Sequence, residues 1–420
     1  MNKEIIKNII REKQQEIAEI QIIERNYQLE SSSNYVFVGL RRAGKSFLMY
    51  QQIHQFIARG SHSIEDMLFV NFEDERINGI SAGLLGLVID AYKELYNKKP
   101  IVFLDEIQNI AGWEKFARRL ADSKYQVFIS GSNAQMLSKE IYTTLGGRFM
   151  VKEVFPFSFE EYLRFHQIVL EKNWQYGEER NTVVNLFEKY FYFGGFAESF
   201  AFADKRDYIN SLYHKILLGD IIARNEIRND KALRILMKKI AETVVHPVSL
   251  SKLKNAVNST GLSIAKNTLI DYLGYAKDAY LLFDISNFSD KFSEKETVKK
   301  RYFFDNGLLN LFLLDPNSRL LENLVAIELY KKYADRLFYY NRNIEVDFFV
   351  PDEKTAIQAS YSINDEMTRN REVGALLKLA EVYPDTRLII VTFNEDEIIT
   401  EQEHHIEVVP IWKWLLSNNM

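Results

Sequence analysis

The stretch Tyr35-Val-Phe-Val-Gly39-Leu-Arg-Arg-Ala-Gly44-Lys45-Ser46 decides the fold of the N-terminal part of this chain. Its last eight residues match the pattern G-x-x-x-x-G-K-[ST] of a phosphate-binding loop at every fixed position. The glycines let the backbone turn tightly, so that successive N–H groups point at phosphate oxygens, and the next helix adds the positive end of its dipole. An apolar strand before the loop and a helical pattern over residues 46–58 supply the context that this motif requires.

The residue types in the loop predict how it would hold a nucleotide. Lys45 would reach the β- and γ-phosphates as a point charge, and the Ser46 hydroxyl would bind Mg²⁺. A plain strand-to-helix turn, which is the structural alternative, has no use for a lysine at this position. The predicted nucleotide-binding residues are Gly39, Arg42, Ala43, Gly44, Lys45, Ser46 and Phe47.

A later apolar strand, Pro100-Ile-Val-Phe-Leu104, ends in the acids Asp105 and Glu106. Acids at the carboxyl end of a parallel strand face the ligand crevice of such a sheet. We expect Asp105 to hold Mg²⁺, mostly through water, and Glu106 to polarise the water that attacks the γ-phosphate. The alternative, a pair of acids that caps the next helix, is disfavoured by the phosphate-binding loop.

A polar sequence follows the fourth predicted strand, Tyr125–Ile129. A polar side chain at this strand end would lie between the acids and the γ-phosphate and sense its presence. Asn133 or Ser132 is the candidate for this role. An N-cap for a helix over 134–141 is the structural alternative, and the two roles are compatible.

An arginine that neutralises transition-state charge is also expected. Arg148 is the first candidate, and Arg118 and Arg119 compete with it. An ordinary surface arginine is the alternative for each of them. A finger that acts on a neighbouring copy would require the chain to form homo-oligomers.

The composition is that of an ordinary soluble chain, and 420 residues suggest about three domains. The net charge of −5 excludes a globally basic nucleic-acid coat, so any DNA contact would need a local patch. The absence of cysteine excludes disulfides, thiolate metal sites and a cysteine nucleophile, and fits a reducing cytoplasm. The N-terminus lacks the continuous apolar core of a signal peptide, and no stretch approaches the roughly 18 apolar residues of a spanning helix. A cytoplasmic protein without a membrane partner is therefore expected.

Apolar strands that alternate with helices predict an α/β fold whose first domain is a parallel sheet covered on both faces. Its strands are predicted at 35–38, 67–70, 100–104, 125–129 and 149–154, after an amphipathic helix over 2–28. Changes of pattern then set the predicted domains. These are a P-loop domain over 1–157, a helical region over 158–230, a winged helix over 231–318 and a second α/β domain over 319–420.

Several short motifs together resemble one family of prokaryotic AAA+ ATPases. Besides the loop, they are Phe103-Leu-Asp-Glu-Ile-Gln108 with Gly112-Trp113 after it, Gly131-Ser-Asn, Gly147-Arg148 and Phe155-Pro-Phe-Ser-Phe-Glu-Glu-Tyr162. The resemblance covers essentially the whole chain. It implies ATP as the nucleotide, an AAA+-type sheet and a winged helix. It also implies a C-terminal region known as domain of unknown function 4143, with a nuclease-like fold. The lack of an Asn-Lys-x-Asp guanine-reading motif agrees with ATP.

The C-terminal block is similar to the metal-dependent restriction-endonuclease-like core, but it departs from that pattern. Glu322 on a helix and Asp347 on the first strand fit two of the acids of that core. On the next strand, Gln358 stands where a second carboxylate is wanted and Ser360 where a lysine is wanted, which weakens a site for a hard metal. We expect a degenerate domain that keeps the fold and has lost cleavage. The lysines that could still substitute are Lys354 and Lys378.

The predicted winged helix leaves the target open between double-stranded DNA and a protein, because acids interrupt its basic patch. The basic residues are Lys252, Lys254, Lys266, Lys277, Lys291, Lys295, Lys299, Lys300 and Arg301. The leading hypothesis is Mg²⁺-dependent ATP hydrolysis that moves the C-terminal domains. An ATP-gated binding switch with little turnover and an ATP-dependent nuclease are the alternatives.

Overall fold

The computed structural model describes residues 2–77, 79–137 and 139–417. The chain divides into two compact units. Met1–Pro156 with Asp278–Tyr280 form the first, and Phe157–Lys277 with Leu281–Met420 form the second. The predicted domain boundaries at residues 230 and 318 fall inside the second unit, and they stay predictions.

The first unit is built on a parallel sheet, which confirms the parallel sheet predicted for the first domain. Its strands are β1 (Asn34–Val38), β2 (Met67–Asn71), β3 (Ile101–Asp105), β4 (Val127–Gly131) and β5 (Phe149–Glu153). They lie in the order β2-β3-β4-β1-β5, and each neighbouring pair is parallel. Strands β1 to β4 are buried along most of their length, which explains their largely apolar sequences, whereas β5 at the edge of the sheet is buried only at Phe149. The order places the end of β1 between the ends of β4 and β5.

The first unit also contains five α-helices among its described residues. They are α1 (Lys3–Glu19), α2 (Lys45–Ala58), α3 (Gly86–Tyr96), α4 (Trp113–Asp122) and α5 (Lys139–Leu145). The predicted helix over 2–28 is wrong beyond Glu19, because the backbone of Ile20 is extended. The isoleucine spacing continues past this point, but the chain after it runs as an irregular segment that packs Arg25 against the loop before α2.

The second unit begins with helices, as the pattern over 158–230 predicts. The helix Lys205–Lys215 continues directly into a π-helix, Ile216–Ala223. The helices of the rest of the chain are α6 (Phe159–Phe165), α7 (Glu179–Phe193), α8 (Lys205–Lys215), α9 (Asp230–Glu242), α10 (Leu250–Asn258), α11 (Lys266–Asp278), α12 (Phe292–Thr297), α13 (Asn306–Asn310), α14 (Asn317–Tyr333), α15 (Glu366–Val382) and α16 (Ile411–Ser417).

One mixed sheet runs through the second unit. Its described strands are β6 (Val248–Ser249), β7 (Leu282–Asn287), β8 (Val298–Phe303), β9 (Phe338–Asn341), β10 (Glu345–Val350), β11 (Thr355–Ala359), β12 (Arg387–Thr392), β13 (Glu397–Glu401) and β14 (His404–Pro410). They lie in the order β13-β14-β12-β11-β10-β9-β7-β8-β6. The β7–β8 hairpin, which lies within the predicted winged helix, joins this sheet because β7 pairs in parallel with β9.

Buried polar side chains fix α13 and α14 beside β8. The Asn323 side chain of α14 accepts the Phe303 N–H and donates to the Phe303 carbonyl, so it completes the edge of the strand. Asp305 accepts hydrogen bonds from the N–H groups of Gly195 and Gly307. In the part of the chain that the structure describes, no helix combines the length and the apolar character that crossing a membrane requires.

Candidate nucleotide-binding site

The loop between β1 and α2 turns tightly and requires glycine at its first position. Gly39 has φ +148°, and a Cβ at this position would lie 2.1 Å from the carbonyl oxygen of Val154. Arg42 and Gly44 also have positive φ, 63° and 90°. Gly44 is the N-cap of α2 and makes no side-chain cap. The first amides of α2 therefore have the arrangement that binds phosphate at a helix N-terminus.

Lys45 lies at the centre of this loop and is only 4% exposed. Its Nζ atom donates to the carbonyl oxygens of Gly39, at 3.2 Å, and Leu40, at 3.1 Å. The same atom is 3.9 Å from Oε1 of Glu106. The ammonium therefore lies between the loop and the acidic end of β3.

Asp105 ends β3 and is fully buried. Its Oδ2 accepts hydrogen bonds from the Ser46 hydroxyl, at 2.9 Å, and from Nδ2 of Asn71, at 3.0 Å. Its Oδ1 accepts a hydrogen bond from the Ser130 hydroxyl. Burial, together with the charge of Glu106, raises the pKa of the Asp105 carboxyl to about 6. A buried carboxylate beside a hydroxyl is a donor set that suits a hard cation such as Mg²⁺.

Glu106 follows at once, with a left-handed backbone (φ 53°) that starts a short 3₁₀ helix, Ile107–Asn109. Its N–H donates to Oγ of Ser130, at 3.1 Å, and its Oε2 accepts a hydrogen bond from Nε2 of Gln108, at 2.5 Å. Burial would raise the pKa of the Glu106 carboxyl, but the charge of Lys45 and the hydrogen bond from Gln108 outweigh it and hold that pKa below its usual value. Glu106 is therefore ionised at neutral pH.

Two family models match this chain. An AAA domain matches residues 31–163, which span β1 to β5 and the first part of the second unit. Domain of unknown function 8612 matches residues 184–319. The C-terminal region implied by the sequence, domain of unknown function 4143, is therefore corrected to this different domain.

Relatives extend the match to nearly the whole length. The chain is 34% identical over 414 residues to the uncharacterized protein MJ1544 of Methanocaldococcus jannaschii, covering 94% of this chain and 91% of that protein. The chain belongs to a family of prokaryotic AAA+ proteins. An uncharacterized protein of Haemophilus influenzae is 26% identical over 393 residues, covering 91% of this chain and 94% of that protein. Among solved structures, the AAA+ chain is similar to the Walker-type ATPase of Pyrococcus abyssi, with 15% identity, a TM-score of 0.40 and coverage of 72% of this chain and 95% of that one.

In this AAA+ protein, Ser132 is the candidate sensor that acts on the Glu106 carboxylate. The buried Ser132 hydroxyl helps to lower the pKa of the Glu106 carboxyl. Oδ1 of Asn133 instead accepts the N–H of Gln135, at 2.7 Å, where the 3₁₀ helix Ala134–Leu137 begins. This is the capping arrangement. The sensing role of Asn133 stays a prediction.

Arg148 lies at the edge of the sheet that is opposite to the phosphate-binding loop of its own chain. Its carbonyl accepts a hydrogen bond from Nδ2 of Asn34, at 3.0 Å, and Asn34 begins β1 whereas the loop follows the end of β1 at Val38. The length of β1 separates the two edges by about 13 Å. The Arg148 guanidinium pairs with Asp122. A role of Arg148 as an arginine finger stays a prediction, and in this geometry it would act on a neighbouring copy.

The competing arginines of α4 are exposed and make local contacts. Nη1 of Arg118 donates to the carbonyl of Thr144, at 3.3 Å. The guanidinium of Arg119 lies over the ring of Phe116, at 5.4 Å from its centroid. These contacts match the surface alternative for both residues.

The sequence analysis did not identify Arg25, whose guanidinium hydrogen-bonds the backbone of the phosphate-binding loop. Arg25 is buried, and its guanidinium donates to the carbonyls of Ala43, at 2.8 Å, and Phe155, at 2.9 Å. The N–H and carbonyl of Arg25 also pair with the side-chain amide of Gln51. No sequence signal marks this residue, because the periodicity assigned it to a helix.

The sequence analysis also did not identify Arg41 as a residue that acts on Glu106. Its charge lowers the pKa of Glu106, and the two consecutive arginines of the loop could have indicated it.

Three acids of the C-terminal region surround Lys300, which the sequence analysis assigned to the winged helix. Nζ of Lys300, on β8, is fully buried and lies 2.9 Å from Asp347, 3.1 Å from Glu322 and 3.3 Å from Glu345. Burial and the charge of Asp347 raise the pKa of the Glu322 carboxyl to about 8. Within the described ranges, no group of three or more His, Asp or Glu side chains has an arrangement that could hold a metal ion.

A cavity of about 610 Å³ opens on these acids. Gln358, at its wall, accepts the N–H of Asp347 and donates to Glu372, each at 2.8 Å. Of the lysines proposed as substitutes, Lys378 lines the cavity. Lys354 does not line it and pairs with Asp385, at 3.6 Å on the surface. Of the two lysines, Lys378 is therefore the better placed, and substitution by either stays a prediction.

Proposed function

We propose that this AAA+ protein binds ATP with Mg²⁺ on the loop between β1 and α2 and hydrolyses it. One observation carries the proposal most directly. The hydrogen bond between Oγ of Ser46 and Oδ2 of Asp105, at 2.9 Å, joins the loop to the acidic end of β3. Two motifs that are far apart in the sequence thus meet at the carboxyl edge of one parallel sheet, where ligands bind in such folds.

The residues divide the work of hydrolysis between them. Lys45 neutralises the β- and γ-phosphates once it exchanges its loop carbonyls for phosphate oxygens. Ser46 and Asp105 would hold Mg²⁺, which supplies charge neutralisation at the phosphates. Glu106, ionised because its pKa is lowered, takes a proton from the attacking water as a general base.

The second part of the proposal is that nucleotide turnover repositions the second unit on a target. The order α9, β6, α10, α11 and the β7–β8 hairpin supports the assignment of a winged helix. Two of the basic residues predicted for the winged helix do not support a DNA contact. Lys300 is buried among carboxylates, and Arg301 is buried and donates to the carbonyl of Val248. Exposed basic residues remain on α10 and α11, where Lys252 and Lys266 lie at the first turns.

Phosphate release from Mg·ATP tests the proposal. We expect Lys45→Ala to lose ATP binding, and Glu106→Gln to retain binding while turnover falls by about 10²- to 10⁴-fold. Lys115→Ala, an exposed lysine of α4, is the matched control and should behave as the wild type. Normal ATP binding by the Lys45 variant would show that the site is assigned wrongly.

The same assay separates the alternatives. Stimulation of turnover by duplex DNA indicates a DNA-coupled motor, and indifference to DNA indicates a protein target. Nucleotide-dependent affinity for a target without turnover indicates the binding switch. The nuclease alternative predicts metal-dependent DNA cleavage that Asp347→Ala abolishes.

A further inference from the structure

The carboxylate of Glu106 is held by a side chain to which the mechanism above assigns no role. Nε2 of Gln108 donates to Oε2 of Glu106 at 2.5 Å. The other carboxylate oxygen, Oε1, lies 3.9 Å from Nζ of Lys45. The two oxygens of Glu106 are thus distinguished, since one is fixed by an amide and the other lies on the side of the phosphate-binding loop.

Two segments of the first unit, one after β3 and one at the end of β4, fix the position of Gln108. The short 3₁₀ helix after β3 carries Gln108, and Gly131 at the end of β4 makes room for its amide. A Cβ on Gly131 would lie 2.5 Å from Oε1 of Gln108 and 1.9 Å from Sδ of Met136. Because Gly131 lacks a positive φ, the need for glycine here comes from this close packing.

The oxygen of the same amide lacks a hydrogen bond. Oε1 of Gln108 is buried and has no hydrogen-bond partner among the residues that the structure describes. Buried amide oxygens are nearly always hydrogen-bonded, so this oxygen calls for a donor. A water beside Glu106 would supply one.

We propose that Gln108 is a positioning residue for hydrolysis, which orients the Glu106 carboxylate so that Oε1 is left to accept a proton from the attacking water. This inference rests on the proposed ATPase function. A glutamate side chain that is free to rotate spends little time in the productive geometry, so loss of the amide slows the chemical step. Gln108 makes its hydrogen bond to Glu106 and not to the loop, so nucleotide binding should not depend on it.

The central test is Gln108→Leu, which keeps the approximate volume and removes the amide. The expected result is a fall of about tenfold in kcat with the dissociation constant of ATP unchanged within about twofold. The matched control is Asn109→Ala, an exposed neighbour in the same short helix, with kcat unchanged. Gly131→Ala, which displaces the amide without changing Gln108, should reproduce the fall and provides a second variant if Gln108→Leu does not fold.

A double-mutant cycle distinguishes positioning from general loss of structure. In the Glu106→Gln background, Gln108→Leu should leave the residual rate unchanged, because the group that it orients is already lost. A further tenfold fall in that background, a parallel loss of ATP affinity, or an unchanged or faster kcat in the single variant would each overturn the inference. Failure of the proposed function looks different, since wild type and Glu106→Gln would then release phosphate at the same rate.

Discussion

At the scale of single residues, the environment of Arg25 shows how the phosphate-binding loop is kept in shape. Its buried guanidinium bridges the carbonyls of Ala43 in the loop and Phe155 after β5. Arg25→Met should lower ATP affinity by about tenfold, because a hydrogen bond from a charged donor contributes about 1.5–3 kcal/mol and the loop carbonyl would lose its partner.

Fluorescence titration with an ATP analogue measures this effect. Arg25→Lys should give an intermediate affinity, since a single ammonium cannot span both carbonyls as the planar guanidinium does. Arg11→Met, on the exposed face of α1, is the control. If Arg25→Met binds the analogue as tightly as the wild type, the loop does not depend on this support.

Local spacing predicts some of these residues and not others. Lys45, Ser46 and Asp105 follow directly from a strand–loop–helix motif and a strand that ends in acids, and their proximity is a property of any parallel sheet of this kind. The contacts of Asn71 and Arg25 depend on which strands are neighbours and on where an irregular segment lies. No short-range pattern encodes that information, so both residues were missed.

At the scale of elements, the buried strands of the first sheet were predictable and the pairing of the hairpin was not. A parallel strand that is covered on both faces must be apolar throughout, so its sequence reveals it. The partner of a hairpin strand is set by tertiary packing. The pattern therefore predicted a winged helix over 231–318, but it did not indicate that β7 pairs with β9.

The consequence of this pairing is the burial of Lys300 among three carboxylates. Lys300→Met should destabilise the second unit by about 3–5 kcal/mol, because it leaves buried acids without their counter-ion. Urea unfolding measures the loss. Lys299→Met, the neighbour on β8 that pairs with the exposed Glu296, is the control and should cost less than about 1 kcal/mol. Equal stability of the two variants would show that the acids do not need the ammonium.

At the scale of the whole molecule, the two compact units were foreseeable in part. The change from alternating strands and helices to helices alone occurs near residue 157 in the sequence, and the first unit ends at Pro156. The brief return of Asp278–Tyr280 to the first unit has no local signal, because three residues cannot show a periodicity.

The target of the second unit gives the last prediction. Lys252 and Lys266 are exposed at the starts of α10 and α11, whereas Lys300 and Arg301 of the hairpin are buried. If duplex DNA is the target, Lys300 and Arg301 are too buried to contact its phosphates, whereas Lys252 and Lys266 are accessible to them. The double variant Lys252→Ala/Lys266→Ala should then weaken DNA binding and reduce the slope of log affinity against log salt by about 2, since each phosphate contact contributes about one unit.

Fluorescence anisotropy with labelled duplex over a salt series measures both the affinity and the slope. The control is the double variant Lys93→Ala/Lys115→Ala, at exposed lysines of α3 and α4 in the first unit, which should leave the slope unchanged. A wild type that binds no duplex at low salt would refute the DNA target and leave a protein as the partner of this surface.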